Sequence, residues 1–199
     1  MVFFTHEEGV SCGVHGSLNC AYLTSDSSEN VRENRRRAMS YLGCPLEPLA
    51  SVRNVHGNTV VVVEALWDEN QKPIADGMVT KKAGIILGSD SADCPIVLFA
   101  DEQAKEIGLA HAGWRGAIKG VIEVTVEKMV SIGAKQDHIS AAISPCIAHD
   151  SYEIGLEFYE QFLDQDVGNK GCFKNSTKVN HFLFDLLGYV KKVGFIRQT

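Results

Sequence analysis

Three short apolar runs crowd the middle of the chain, and they limit what it can fold into. They are GIILGS at 84–89, PIVLFA at 95–100 and IGLAHA at 107–112, each bounded by turn-forming or charged residues. None alternates apolar with polar, so each suits a strand buried on both faces rather than one with a wet side. Other elements have to cover such strands. A helix is expected from Ser28, which can cap the first N–H groups, with Val31, Ala38, Met39 and Leu42 at helical spacing before Gly43. The Val-rich run 59–66 predicts a further strand. Residues 117–132 predict an amphipathic helix, with Ile118, Ile122, Val126 and Met129 on one face, Lys119, Glu123 and Glu127 on another, and a stop at Gly133. A strand at 139–143, a short helix at 155–162 and a last helix at 180–193, ending at Gly194, complete a mixed α/β (α+β) pattern.

At 199 residues, the sequence reads as one domain over 1–199 with no linker or repeat. Its net charge of -6 argues against a general nucleic-acid binder, which needs a basic surface to displace counterions. The one dense basic run, Arg35 to Arg37, lies among Glu29, Glu33 and Asn34 and reads as a solvated helix face. Six cysteines occur without any CxxC pair, which excludes a zinc ribbon or a thioredoxin-like site. The apolar start, Met1 to Phe4, is interrupted by His6, Glu7 and Glu8, so no signal peptide is expected. No apolar run approaches the roughly 20 residues that span a bilayer. The expectation is a cytoplasmic protein with reduced thiols and no membrane partner.

Chemistry concentrates at the ends of the expected strands. Ser91-Ala92-Asp93-Cys94-Pro95 lies between two of them. An acidic neighbour does not activate a thiol, but a metal ion or a protonated histidine would stabilise the thiolate. Ala110-His111-Ala112-Gly113-Trp114-Arg115-Gly116 ends the third run and opens the expected helix. Gly113 and Gly116 allow close backbone approach, the helix start offers N–H groups to an anion, and Arg115 adds a planar cationic fork. His56 precedes the Val-rich strand. Together His56, Cys94 and His111 form a set of two imidazoles and one thiolate, which suits catalytic zinc and also copper. Asp93 is a candidate for orienting a ligand or moving a proton. Without metal, Cys94 and His111 would also suit a Cys–His hydrolase, and a metal-binding module without turnover is a third reading.

The stretches FFTHEEGVSCGVHGSLNC, VRENRRRAMSYLG, NVHGNTV, ADGMVT, SADCPIVLFAD, LAHAGWRG and ISPCIAHDSYEIG resemble the YfiH-like, laccase-domain proteins over about residues 3–160. That family is named in turn for polyphenol oxidation and for purine nucleoside chemistry. The resemblance implies that His56, Cys94 and His111 bind zinc, or copper, within a single domain of α/β/β/α layers. It implies phosphorolysis of adenosine, inosine and methylthioadenosine, and deamination of adenosine, with nucleoside and phosphate as partners. Two departures stand out. Family members usually carry Arg where this chain has His6, and they usually continue past the last helix with a strand and an Arg-rich tail, whereas this chain stops at Thr199. A four-copper laccase mechanism is excluded, because only seven histidines are present and no HxH pair occurs; phenol oxidation at a single copper is an alternative reading.

Overall fold

The computed structural model describes residues 1–44 and 49–195. Along the chain lie α1 (Ser28–Tyr41), β1 (Leu49–Ala50), β2 (Val60–Val62), β3 (Gly77–Thr80), β4 (Ile86–Leu87), β5 (Ile96–Asp101), β6 (Glu106–His111), α2 (Trp114–Ile118) and α3 (Val121–Ile132). They are followed by β7 (Ser140–Ile143), β8 (Glu153–Gly155), α4 (Leu156–Gln165), β9 (Phe173–Asn175), β10 (His181–Phe184) and α5 (Leu186–Phe195). The fold is mixed α/β with several sheets, as expected.

Two of the apolar runs, β5 and β6, sit at the centre of a five-stranded sheet of order β2-β3-β6-β5-β7. Only β2–β3 is parallel; the other pairs are antiparallel. Side-chain alternation divides these strands between two cores. Met78, Ile96, Leu98 and Leu109 pack on one side with Ala50, Val52, Val63 and Ala75. Val79, Val97, Phe99 and Ala110 point to the other side, where Val121, Ile122 and Met129 of α3 cover them. That second core continues into an aromatic cluster beneath the small sheet β8-β10-β9. There Phe162 of α4 is fully buried, stacked on Phe158 at 4.9 Å and packed against Phe184, also fully buried, at 4.8 Å.

Several expectations are corrected. The run at 84–89 yields only the two-residue β4, half-buried and paired in parallel with β1, not a strand covered on both faces. The Val-rich strand is limited to Val60–Val62. The helix expected at 117–132 is two helices: Gly120 adopts φ 84°, a left-handed conformation that breaks the run after α2. Its actual start is Trp114, so the His-Ala-Gly stretch leads straight into the first turn. The helix expected at 180–193 begins as β10, because Phe182 stacks on Tyr159 at 4.1 Å and Phe184 fills the aromatic core. Helix α1 is capped by Ser27 rather than Ser28, its hydroxyl accepting from the Asn30 N–H at 3.1 Å. No helix among the described residues is long and apolar enough to cross a membrane. All six cysteines are unpaired.

Candidate metal centre

Strand register builds this site. Ile96 at the start of β5 pairs with His111 at the end of β6, so Cys94, two residues before Ile96, is delivered beside His111. Gly77 at the start of β3 pairs with Ala110, which brings Asp76 to the other side of the same histidine. The backbone closes the corner: the His111 N–H donates to the Asp76 carbonyl at 2.7 Å, and the Ala112 N–H to the Pro95 carbonyl at 2.8 Å. His56 arrives from the loop before β2. Its φ of 57° is left-handed, a strained choice for a residue with a side chain.

The three expected ligands meet. The donor atoms of His56, Cys94 and His111 all lie within 4.8 Å of one another. The two imidazoles stand edge to face with centroids 4.9 Å apart. His111 is buried, while His56 and Cys94 are half-buried, so the cluster opens to one side. The Ser91 hydroxyl donates to the Cys94 carbonyl at 2.7 Å and fixes the loop that carries the thiol.

Asp76, which the reading of residues did not single out, is the hub of the cluster. Its carboxylate is completely buried. Oδ1 accepts from His111 Nδ1 at 3.0 Å and from the His56 N–H at 2.9 Å, while Oδ2 accepts from the Gly57 N–H at 2.7 Å. The Val55 N–H reaches both oxygens at 3.2 Å. Burial alone would raise this carboxyl, but the hydrogen bonds from His111 and the three amides outweigh it and hold the group below its ordinary range. His111 responds in the opposite sense. Burial works against its charge, yet the hydrogen bonds to Asp76 and Cys94 win and push it up to about 9. Burial and the adjacent His111 push His56 down. The one sequence signal for Asp76 was its place in the ADGMVT stretch, which a reader would otherwise take for a turn.

Gly113 has a reason that only the geometry reveals. A Cβ there would stand 2.7 Å from His56 Nδ1 and 2.8 Å from Cys94 Sγ, so a side chain would fill the space between two ligands. Gly116 is buried against the Gly57 carbonyl, which a Cβ would approach to 2.8 Å; it lets α2 press on the His56 loop. Arg115 is exposed, with its guanidinium 4.8 Å from the centroid of the Trp114 ring, and it makes no ion pair among the described residues. Asp93 is exposed as well. Its carbonyl accepts from the Ile147 N–H at 2.9 Å, and the carboxylate that bonds His111 is that of Asp76. Tyr152 lies within electrostatic reach of Cys94, Arg115 and Asp93; burial first, then the Cys94 charge, pushes its phenol up to about 12.

Two imidazoles and a thiolate are the donor set of a three-ligand zinc site with one position left for water or substrate. The room that Gly113 leaves between two of the donors, and the carboxylate behind His111, fit such an ion.

The sequence profile of the family described as multi-copper polyphenol oxidoreductase laccase matches residues 1–193. A purine nucleoside phosphorylase of Rickettsia conorii is 39% identical over 175 residues, which are 85% of this chain and 70% of that protein. An adenosine deaminase from an unknown prokaryotic organism is 32% identical over 155 residues, covering 74% of this chain and 59% of that one. The crystal structure of a Neisseria meningitidis protein superposes with a TM-score of 0.82 at 29% identity, covering 95% of this chain and 76% of the other. The chain spans 57% to 70% of the length of the Rickettsia and Deinococcus purine nucleoside phosphorylases it matches.

Proposed function

The chain belongs to the multi-copper polyphenol oxidoreductase laccase family, and from that premise we propose that it is a zinc-dependent purine nucleoside enzyme. In this reading it cleaves adenosine, inosine or methylthioadenosine with phosphate and deaminates adenosine. The observation that carries the proposal is the convergence of His56, Cys94 and His111 within 4.8 Å on a space kept open by Gly113. Relatives named purine nucleoside phosphorylase and adenosine deaminase support the substrate class. Among the described residues this is the one group of three or more candidate ligands, and the proposal is for a single metal ion there. Copper is the alternative occupant, since it competes well for such nitrogen and sulfur donors. Six unpaired thiols agree with a reducing, cytoplasmic setting.

His56, Cys94 and His111 would hold the ion, His111 through Nε2 because its Nδ1 is committed to Asp76. A bound zinc ion supplies a Lewis acid that lowers the pKa of water toward about 7. Arg115, exposed over Trp114, binds phosphate, and the N–H groups of the first α2 turn, from Gly113 to Gly116, lack intrahelical partners and can join it. In phosphorolysis, a phosphate oxygen bonds to the ribose C1′ as the bond to the purine nitrogen breaks. In deamination, water adds to the purine C6 and ammonia leaves. Asp93, at the exposed rim, is the remaining candidate for proton movement.

The test is to incubate the zinc-loaded protein with adenosine, with and without phosphate, and to separate the products, with Cys94→Ala alongside. Phosphate-dependent adenine, or inosine in either buffer, is expected from the wild type and absent from the variant. An undiminished Cys94→Ala enzyme would remove the metal from the reaction. Inactivation by thiol alkylation with indifference to chelators would favour a Cys–His hydrolase instead.

A further inference from the structure

Both histidines of the cluster depend on one side chain that is not itself a ligand. Asp76 holds His111 by its ring, through Nδ1 at 3.0 Å, and holds His56 by its backbone, through the N–H groups of Val55, His56 and Gly57 at 2.7 to 3.2 Å. The second grip matters because the His56 backbone is left-handed at φ 57° and would relax if released. Asp76 cannot drift, since its own N–H donates to the Thr59 carbonyl at 2.9 Å and its carbonyl accepts from the His111 N–H at 2.7 Å. Cys94 lies outside this arrangement, anchored instead by Ser91 and by the start of β5.

We propose that Asp76 is the positioning residue of the metal centre: one buried carboxylate fixes the tautomer and ring plane of His111 and the backbone of His56, and thereby sets the separation of the two nitrogen ligands. This rests on the metal-centre reading above and deepens it. Its consequence is selective. Weakening Asp76 loosens both imidazole ligands and leaves the thiolate ligand in place, whereas a general structural failure would lose all three.

Cobalt(II) separates these outcomes, because its visible d–d bands report the coordination geometry and its near-ultraviolet charge-transfer band reports the thiolate. The wild-type protein and Asp76→Asn are titrated with cobalt, and zinc affinity is measured by competition with a chromogenic chelator. Asn keeps the shape of Asp but replaces one accepting oxygen with an NH₂ group that faces N–H donors. The expected result for Asp76→Asn is a 10–100-fold loss of zinc affinity, altered d–d bands at saturating cobalt and a retained charge-transfer band. Affinity within twofold of wild type and an unchanged spectrum overturn the proposal. A wild-type protein that shows no cobalt bands overturns the metal reading and this proposal with it. Should Asp76→Asn fail to fold, imidazole ¹⁵N spectra of the zinc-loaded wild type decide. His111 protonated at Nδ1 and shielded from exchange supports the assignment, and protonation at Nε2 overturns it.

Discussion

A single methyl group at Gly113 should empty the metal centre without unfolding the protein. The backbone there has φ -56° and ψ 155°, open to any L residue, so alanine brings no conformational strain. The perturbation is the Cβ itself, which would stand 2.7 Å from His56 Nδ1 and 2.8 Å from Cys94 Sγ. Favourable contacts between heavy atoms lie near 3.5 Å or beyond, so each ligand has to retreat by about 0.7–0.8 Å at least. His56 can retreat little, because Asp76 holds its loop, so the donor set is spread by roughly an ångström. Displacements of that size cost about 100-fold where geometry sets the interaction, or about 2.8 kcal/mol of binding free energy. Replacing glycine at the helix N-cap adds no more than about 1 kcal/mol of instability. The assay is zinc affinity by chelator competition, paired with chemical denaturation of the metal-free protein. We expect Gly113→Ala to bind zinc at least about 100-fold more weakly while the metal-free protein loses no more than about 1 kcal/mol of stability. Affinity within threefold of wild type would refute the reasoning, since the methyl would then fit beside a loaded site.

Two further outcomes follow from the same structure. Phe162 is fully buried, with Phe158, Phe184 and Tyr189 within 5.0 Å, so Phe162→Ala should cost about 3–5 kcal/mol in urea denaturation; a loss under about 1 kcal/mol would mean that the aromatic core collapses around the gap. In the metal-free protein, His111 is pushed up to about 9 from an ordinary 6.5, so its contribution to stability is complete below 6.5 and is lost as pH rises through about 9. Denaturation midpoints in the presence of chelator should therefore fall across that interval, and a flat profile would contradict the His111–Asp76 pairing.

The central sheet was legible because PIVLFA and IGLAHA, His111 apart, carry no polar side chain, and a position between two covered faces suits such runs. GIILGS has the same look but is too short of partners: β4 pairs with two residues of β1 and stays half-buried. Periodicity misled at 180–193, where Phe182, Leu186, Tyr189 and Val190 can be read on one helical face. The aromatic core instead takes Phe182 and Phe184 as alternate residues of a strand, and the helix starts only at Leu186. Local propensity could not settle this, because the partners that decide it, Tyr159 and Phe162, lie about twenty residues earlier in the chain. At Gly120 the sequence carried only a hint. A glycine inside a helical pattern can be a mere weak spot or a left-handed break, and only the backbone angle distinguishes them.

For the site, residue type was enough to nominate His56, Cys94 and His111, because imidazole and thiolate at strand ends have few common uses. What brings them together is register, with Ile96 opposite His111 and Gly77 opposite Ala110, and no spacing in the sequence encodes it. The same limit explains why Asp93 was nominated and Asp76 was not. Asp93 touches Cys94 in sequence, and adjacency along the chain is visible. Asp76 touches His111 and His56 only through the fold, and its value lies in accepting three backbone N–H groups of the NVHGNTV stretch, a role that no side-chain type announces. Gly113 shows the reverse case. Its neighbourhood points to anion binding, and its missing side chain has a second effect, leaving the room in which His56 and Cys94 come together. A ligand announces itself by its chemistry; the residues that aim ligands are recognised by what they contact, and those contacts exist only once the strands have paired.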